Sequence, residues 1–303
     1  MAGRPVAVVT GAAHGIGLET ARRLAATHRV ALLDLDEAGA SAAAQRIGGD
    51  AVAVGCDVTD PESLAHAART VLDDCGGVDV VIANAGIAVS GTLRHLDPAV
   101  LDAQLRVNLS GAWRSIHAFL PWVIERRGYV LGVASLAAIV PSPGLGAYSA
   151  SKAGLDALLH VLRQELHHLG VGVGVAYFAF IDTDMVRGAE RENPDFARMR
   201  AEQRGPFGKM LPVGDAADVI VRGVAERSAQ VVAPRWVGPL GRLRGLVAPL
   251  AALQGRRMAA VVDRATADNV AERGPLAAGL RRDHAPSEAA VRGVERSTAG
   301  APR

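Results

Sequence analysis

Val6-Ala7-Val8-Val9-Thr10-Gly11-Ala12-Ala13-His14-Gly15-Ile16-Gly17 is the first patterned stretch of this 303-residue chain, and its reading decides the fold. A β-branched, apolar run passes directly into a glycine-rich turn, and an amphipathic segment follows near 15–27. A strand apolar on both faces is one covered by helices on both sides. Glycine permits a tight turn and close backbone approach, and the start of a helix offers unpaired N–H groups. Strand, turn and helix in that order make a cradle for a pyrophosphate. A glycine triplet alone is weak; the strand before it and the helix after it supply the context.

The same alternation continues outward. Strand-like runs lie near 5–9, 29–33, 51–55, 78–83, 129–134, 171–178 and 230–233, with helix-like segments near 15–27, 37–47, 61–75, 98–125, 147–168 and 214–227. Alternation of this kind predicts parallel pairing with right-handed crossovers, an α/β doubly wound sheet. Residues 1–235 are expected to form one domain, with a polar insertion at 184–212 read as a substrate lid. Residues 236–283 read as a partly helical extension, and 284–303, which lack a hydrophobic pattern, as a disordered tail.

Half of the residues are hydrophobic and 21% are charged, the balance of a globular protein. A formal net charge of +2 gives no reason to expect nucleic acid as a partner. Cys56 and Cys75 show no metal or disulfide spacing, so no metal is expected and a reduced, cytoplasmic setting is the default. No basic-then-apolar leader precedes the first strand. The longest apolar runs, near 130–140 and 171–181, are short of the ~20 residues that span a bilayer.

Of the 33 basic residues only Lys152 and Lys209 are lysines, and one of them falls in Tyr148-Ser149-Ala150-Ser151-Lys152. On a helix, residues four apart share a face, so the ammonium can approach the phenol. A free tyrosine titrates near ~10, too high for a base at neutral pH, and a nearby cation is expected to lower it. Tyr148 could then exchange a proton with an alcohol or ketone. Ser135 follows the strand near 129–134, where ligands bind in open α/β sheets, and its hydroxyl can hold a substrate oxygen. Asp34 ends the second strand, where a carboxylate can accept ribose hydroxyls and would repel a 2′-phosphate. That favours NAD over NADP, although Asp36 and His14 lie nearby. The plainer reading of Asp34 is a helix cap, and the same holds for Asp57 before Pro61.

With the spacing Thr-Gly-x3-Gly-Ile-Gly, the chain resembles the classical short-chain dehydrogenase/reductase family over roughly residues 5–235. The resemblance implies a Rossmann-type fold, a nicotinamide cofactor bound at Gly11, His14, Gly15, Ile16, Gly17 and Asp34, and a homodimer or homotetramer. It further implies that Asp57 and Val58 lie at the adenine and Asn84-Ala85-Gly86 beside the cofactor. Asn108, Ser135, Tyr148 and Lys152 match its catalytic set, in which the asparagine holds a proton-relaying water. Ile181 and Thr183 would reach the nicotinamide, but the Pro-Gly pair usual before that threonine is Ala179-Phe180 here. The implied activity is NAD(P)-dependent interconversion of a secondary alcohol and a ketone. Met185, Phe196, Met199, Phe207 and Met210 in the insertion favour an apolar substrate such as a steroid or lipid-like alcohol. A second reading is a cofactor-binding scaffold or regulator without turnover, supported only by Ala179-Phe180. The arginine-rich stretch 235–257 could touch a membrane surface. Pro239, Pro249 and four glycines should interrupt any helix there, which favours a cap over the substrate cleft or a subunit contact.

Overall fold

The computed structural model describes residues 3–192 and 208–273. Phe196, Met199 and Phe207 of the insertion, and the tail 284–303, lie outside the described residues. Seven parallel strands form one sheet: β1 (Val6–Thr10), β2 (Arg29–Asp34), β3 (Val52–Gly55), β4 (Val80–Ala83), β5 (Tyr129–Val133), β6 (Gly172–Phe178) and β7 (Gln230–Ala233). Their order is β3-β2-β1-β4-β5-β6-β7. The chain winds one way from β1 to β3 and the other way from β4 onward. The reversal therefore lies between β1 and β4, where Val8 pairs with both Ala31 and Val81. Ligands in such sheets bind at the carboxyl ends of the strands beside that reversal.

Side chains of a strand alternate between its faces, so β1 feeds two cores. Val8 belongs to one, with Leu64 and Val71 of α3 (Pro61–Cys75), Ile116 and Phe119 of α5 (Ala112–Glu125), and Leu155 and Leu159 of α6 (Gly146–Leu166). Ala7 and Val9 belong to the other, with Leu24 of α1 (Gly15–Leu24), Ala40 and Ala43 of α2 (Glu37–Ile47), and Ile220 of α8 (Val213–Glu226). The fold is a three-layer Rossmann-type α/β sandwich, as the alternation predicts.

The helical run near 98–125 is continuous but not uniform. Between α4 (Pro98–Leu105) and α5 the six residues Arg106–Gly111 form a wider, π-type turn that contains Asn108. Past β6, α7 spans Asp184–Glu192 in the insertion. Beyond β7, a short α9 (Val237–Arg242) leads into α10 (Arg244–Arg273), a helix of 30 residues. The expected interruption occurs at Leu243, between α9 and α10, but not beyond it: α10 runs through Pro249 and Gly255. Pro249 removes one hydrogen bond near the helix start. At Gly255 the missing side chain allows close packing, since a Cβ there would stand 3.2 Å from Pro143 Cδ. Tertiary contact overrides local propensity. Among the described residues no helix is long and apolar enough to cross a membrane.

Candidate active site

The glycine-rich turn is shaped by what it must pass. Gly11 has φ +64°, and a Cβ there would stand 2.9 Å from Ala85 Cα. A Cβ on Gly17 would overlap the Gly11 carbonyl oxygen and lie 2.7 Å from Asn84 Nδ2. Asn84 closes the reversal point by donating to the carbonyls of Thr10 (2.9 Å) and Gly11 (3.1 Å). The Thr10 hydroxyl accepts from the N–H groups of Asn84 and Ala85, each at 3.1 Å. Sequence reading quoted Thr10 but gave it no role; the hydroxyl ahead of the first glycine was its signal.

The start of α1 is open. His14 is its N-cap without a side-chain hydrogen bond, and no acidic residue occupies the first turn. By contrast α2, α3 and α4 are capped by Asp36, Asp60 and Asp97. Unpaired N–H groups at the positive end of a helix dipole suit an anion. Gly15 lies at the same mouth, where a Cβ would come within 3.7 Å of Thr183 Cγ2. Ile16 is half-buried beside it.

Neither Asp34 nor Asp57 is the cap that the plainer reading made it, since Asp36 and Asp60 take those positions. Asp34 ends β2 and accepts from the N–H of Ala13 (2.8 Å) and of Asp36 (3.0 Å). Each carboxylate oxygen thus has one bond and a further lone pair. Asp57 accepts from the N–H of Thr59 at 2.8 Å, next to buried Val58. The exposed His14 ring lies 3.8 Å from Asp36 Oδ2.

Around Gly86 the expected catalytic side chains converge. A Cβ there would stand 3.1 Å from Asn108 Oδ1 and 3.3 Å from Lys152 Nζ. Asn108 is fully buried; Oδ1 accepts from Ile87 N–H (2.8 Å), and Nδ2 donates to Ile87 O (2.8 Å) and to Ser151 Oγ (3.0 Å). Lys152 Nζ donates to Val133 O at 2.8 Å and sits 5.8 Å from the Tyr148 ring centre. Ser135 Oγ accepts from Ala137 N–H at 3.1 Å and hydrogen-bonds the Tyr148 phenol. Tyr148 keeps part of its surface open.

The electrostatics correct one expectation. Burial pushes the Tyr148 phenol above its ordinary value, and the bond with Ser135 offsets only part of this. The Lys152 ammonium donates to Val133 O and is itself buried. Burial pulls Lys152 from 10.5 down to about 8. Between those values the unfolded chain holds a proton the folded chain has lost. Stability from this group therefore rises as pH climbs from about 8 toward 10.5, and below about 8 its buried charge is a penalty of about 3 kcal/mol. Lys152→Met should raise the melting temperature at pH 7 by a few degrees, less the loss of the Val133 bond. A lower melting temperature in that variant would refute this account.

The segment after β6, with Ala179-Phe180, is tied to the far end of the insertion. Ile181 bridges to Leu211, and Phe180 O accepts from Leu211 N–H at 2.9 Å, which ties the two ends of the insertion together. Thr183 Oγ1 accepts from Val186 N–H at 3.3 Å and starts α7. Met185 in its first turn is exposed. Cys56 is buried, its thiol pushed up to about 12, which leaves it inert. Among the described residues no three His, Cys, Asp or Glu side chains gather as a metal site would need.

Comparison with known proteins agrees with this geometry. Residues 5–194 match the short chain dehydrogenase family model. An uncharacterised oxidoreductase of Mycobacterium bovis is 37% identical over 171 residues, covering 55% of this chain and 69% of the relative. The probable oxidoreductase EphD of Mycobacterium tuberculosis is 33% identical over 231 residues, 72% of this chain and 39% of that longer protein. The crystal structure of a short-chain dehydrogenase/reductase from Burkholderia phymatum in complex with NAD superposes with a TM-score of 0.70 at 26% identity, covering 80% of this chain and 93% of that one. A cradle at the β1/β4 reversal, with Ser135, Tyr148 and Lys152 beyond it on one matched frame, places this chain in the short-chain dehydrogenase/reductase family of oxidoreductases.

Proposed function

We propose that the protein interconverts a secondary alcohol and a ketone with NAD. The observation that carries this reading is Tyr148, a partly exposed residue whose phenol interacts with Ser135 and which shares its helix with buried Lys152. The residues present suit a dinucleotide. The tight turn that Gly11 and Gly17 permit against Ala85 and Asn84, and the uncapped start of α1, take the pyrophosphate. Asp34 takes the adenosine ribose, Asp57 and Val58 flank the adenine, and Asn84, Ala85 and Gly86 border the far half. Ile181 and Thr183 are the contacts nearest the nicotinamide. When bound, NAD accepts or returns the hydride.

The chain's own task is the proton. With its raised pKa Tyr148 is a phenol at neutral pH, so it donates to a carbonyl oxygen in reduction. In oxidation its phenolate form accepts the alcohol proton. Ser135 Oγ holds the same substrate oxygen and supports charge that develops on it. The Asn108 side chain is committed to Ile87 and Ser151, so its share in a proton relay falls to its backbone carbonyl. Exposed Met185 at the insertion favours an apolar substrate.

The test is NADH formation over a panel of hydroxysteroids and simple secondary alcohols. Turnover of any member supports the reading; NADH binding with no turnover across a wide panel overturns it. Cofactor choice has its own test. Asp34→Ala is expected to weaken NAD binding about tenfold while improving the relative use of NADP, since it removes both an acceptor for the ribose hydroxyls and the charge opposed to a 2′-phosphate. An unchanged NAD to NADP ratio of kcat/KM would remove Asp34 from the cofactor site.

A further inference from the structure

Asp182 and Asp184 flank Thr183 where the chain leaves β6 and enters α7. Thr183 faces the glycine-rich turn, since a Cβ on Gly15 would stand 3.7 Å from its Cγ2. Two carboxylates at that point oppose what the turn offers. The start of α1 has no acid in its first turn and no side-chain cap, the setting for an anion. Arg187 resolves the conflict. It sits one turn into α7, its N–H bonded to Thr183 O at 2.9 Å. Its guanidinium donates to Asp182 Oδ1 (3.0 Å) and to Asp184 Oδ1 (3.3 Å). A cavity of about 210 Å³ opens beside these groups, lined by Gly15, Leu18 and Glu19 of α1 with Thr183, Arg187 and Val213. Asp182 and Asp184 stand on the same wall. Glu19 is met by Arg22 (2.7 Å) and Arg23 (3.0 Å) of its own helix. Arg187 is the one cation among the described residues that line the cavity.

The side chains of Arg187, Asp182 and Asp184 are 46%, 41% and 71% exposed, so their ion pairs add little to folding. Their value lies in placement. A guanidinium has more N–H donors than these two bonds use, and its planar fork fits phosphate oxygens. Arg187 can thus hold the acidic pair on one side and face an anion in the cavity on the other. Without it, two uncompensated carboxylates would stand beside the anion site and repel a pyrophosphate. We propose that Arg187 is a phosphate-binding residue of the dinucleotide cradle. Its guanidinium bonds the pyrophosphate from the α7 side while the start of α1 holds it from the other, and Asp182 and Asp184 are its positioning residues. The proposal rests on the reading of the cradle as a dinucleotide site. It makes the first turn of the insertion part of the cofactor site, and not of the substrate site alone.

The experiment uses the full chain and needs no turnover. NADH binding is followed by its fluorescence, with ADP-ribose and adenosine titrated as competitors. ADP-ribose carries the pyrophosphate without the nicotinamide, and adenosine carries neither. Arg187→Ala is expected to weaken NADH and ADP-ribose about tenfold each, and adenosine less than about twofold. Arg187→Lys, which keeps the charge but loses the planar fork, should recover part of the loss. Asp182→Asn with Asp184→Asn removes both negative charges. Adding Arg187→Ala to that pair should still weaken ADP-ribose about threefold or more, because the bond to phosphate is direct. The melting temperature of Arg187→Ala should hold, since the pairs it loses are exposed. Equal losses for adenosine and ADP-ribose overturn the proposal. So does a loss that vanishes in the asparagine background, which would reduce Arg187 to cancelling charge. A wild type that binds NADH and ADP-ribose, with nothing lost in Arg187→Ala, defeats this proposal and leaves the dinucleotide reading standing. A wild type that binds neither defeats both.

Discussion

Tyr148→Phe is expected to lower turnover about a hundred- to ten-thousandfold and leave NADH affinity within about twofold. The substitution deletes one oxygen atom and keeps the ring. That ring packs at the start of α6 beside the Lys152 ammonium, 5.8 Å from its centre, so the helix and the lysine should hold their places. What goes is the group proposed to give or take the substrate proton, and the hydroxyl that interacts with Ser135. The phenol is un-ionised at neutral pH and the ring is kept, so the melting temperature should change little. Single-turnover rates with saturating cofactor separate this loss from any change in binding. A variant that retains more than a tenth of the wild-type rate would show that Tyr148 is not the proton donor.

Gly17→Ala should have the largest effect outside the catalytic group. The new methyl would overlap the Gly11 carbonyl oxygen and crowd Asn84 Nδ2 at 2.7 Å. Both obstacles belong to the joint between β1 and β4, and Asn84 is held there by its bonds to Thr10 and Gly11. Relief therefore means moving the turn or breaking the joint, at a cost of about 1–3 kcal/mol and more if both shift. In a domain of this size that lowers the melting temperature by roughly 2–12 °C. NADH binding should fall at least a hundredfold, since the same turn forms the cradle. Gly245→Ala is the control: nothing lies within 4 Å of the added Cβ, so stability should hold or rise slightly. Normal NADH affinity in Gly17→Ala would mean that the dinucleotide lies elsewhere.

Much of the frame could be read in advance because its causes are local. Buried parallel strands are continuous apolar runs, and Val6–Thr10, Tyr129–Val133 and Gly172–Phe178 each announce themselves that way. Tyr148 and Lys152 were found because their relation is a helical spacing. Other features depend on partners far off in the chain. No spacing rule tells Asp34 from Asp36 as the cap of α2; the choice follows from Asp34 bonding Ala13 across the turn. The widened turn at Asn108 has no signature in a run that reads as an ordinary helix. The rise of the Tyr148 pKa was not legible because i, i+4 spacing fixes a shared face but says nothing of burial, which sets the direction. Pro249 and Gly255 argued against a helix on propensity, and contact with the segment around Pro143 outweighed them.

The seat of α10 also sets an order of assembly. Thr92 bonds Thr266 and Asp263 of that helix, 174 and 171 positions away, whereas the cradle closes between Thr10 and Asn84, only 74 apart. During synthesis at 5–20 residues per second, those partners on α10 emerge on the order of ten seconds or more after Thr92. A nascent chain can thus close the glycine-rich turn well before Thr92 meets α10. The last helix among the described residues meets strands that have already had time to pair.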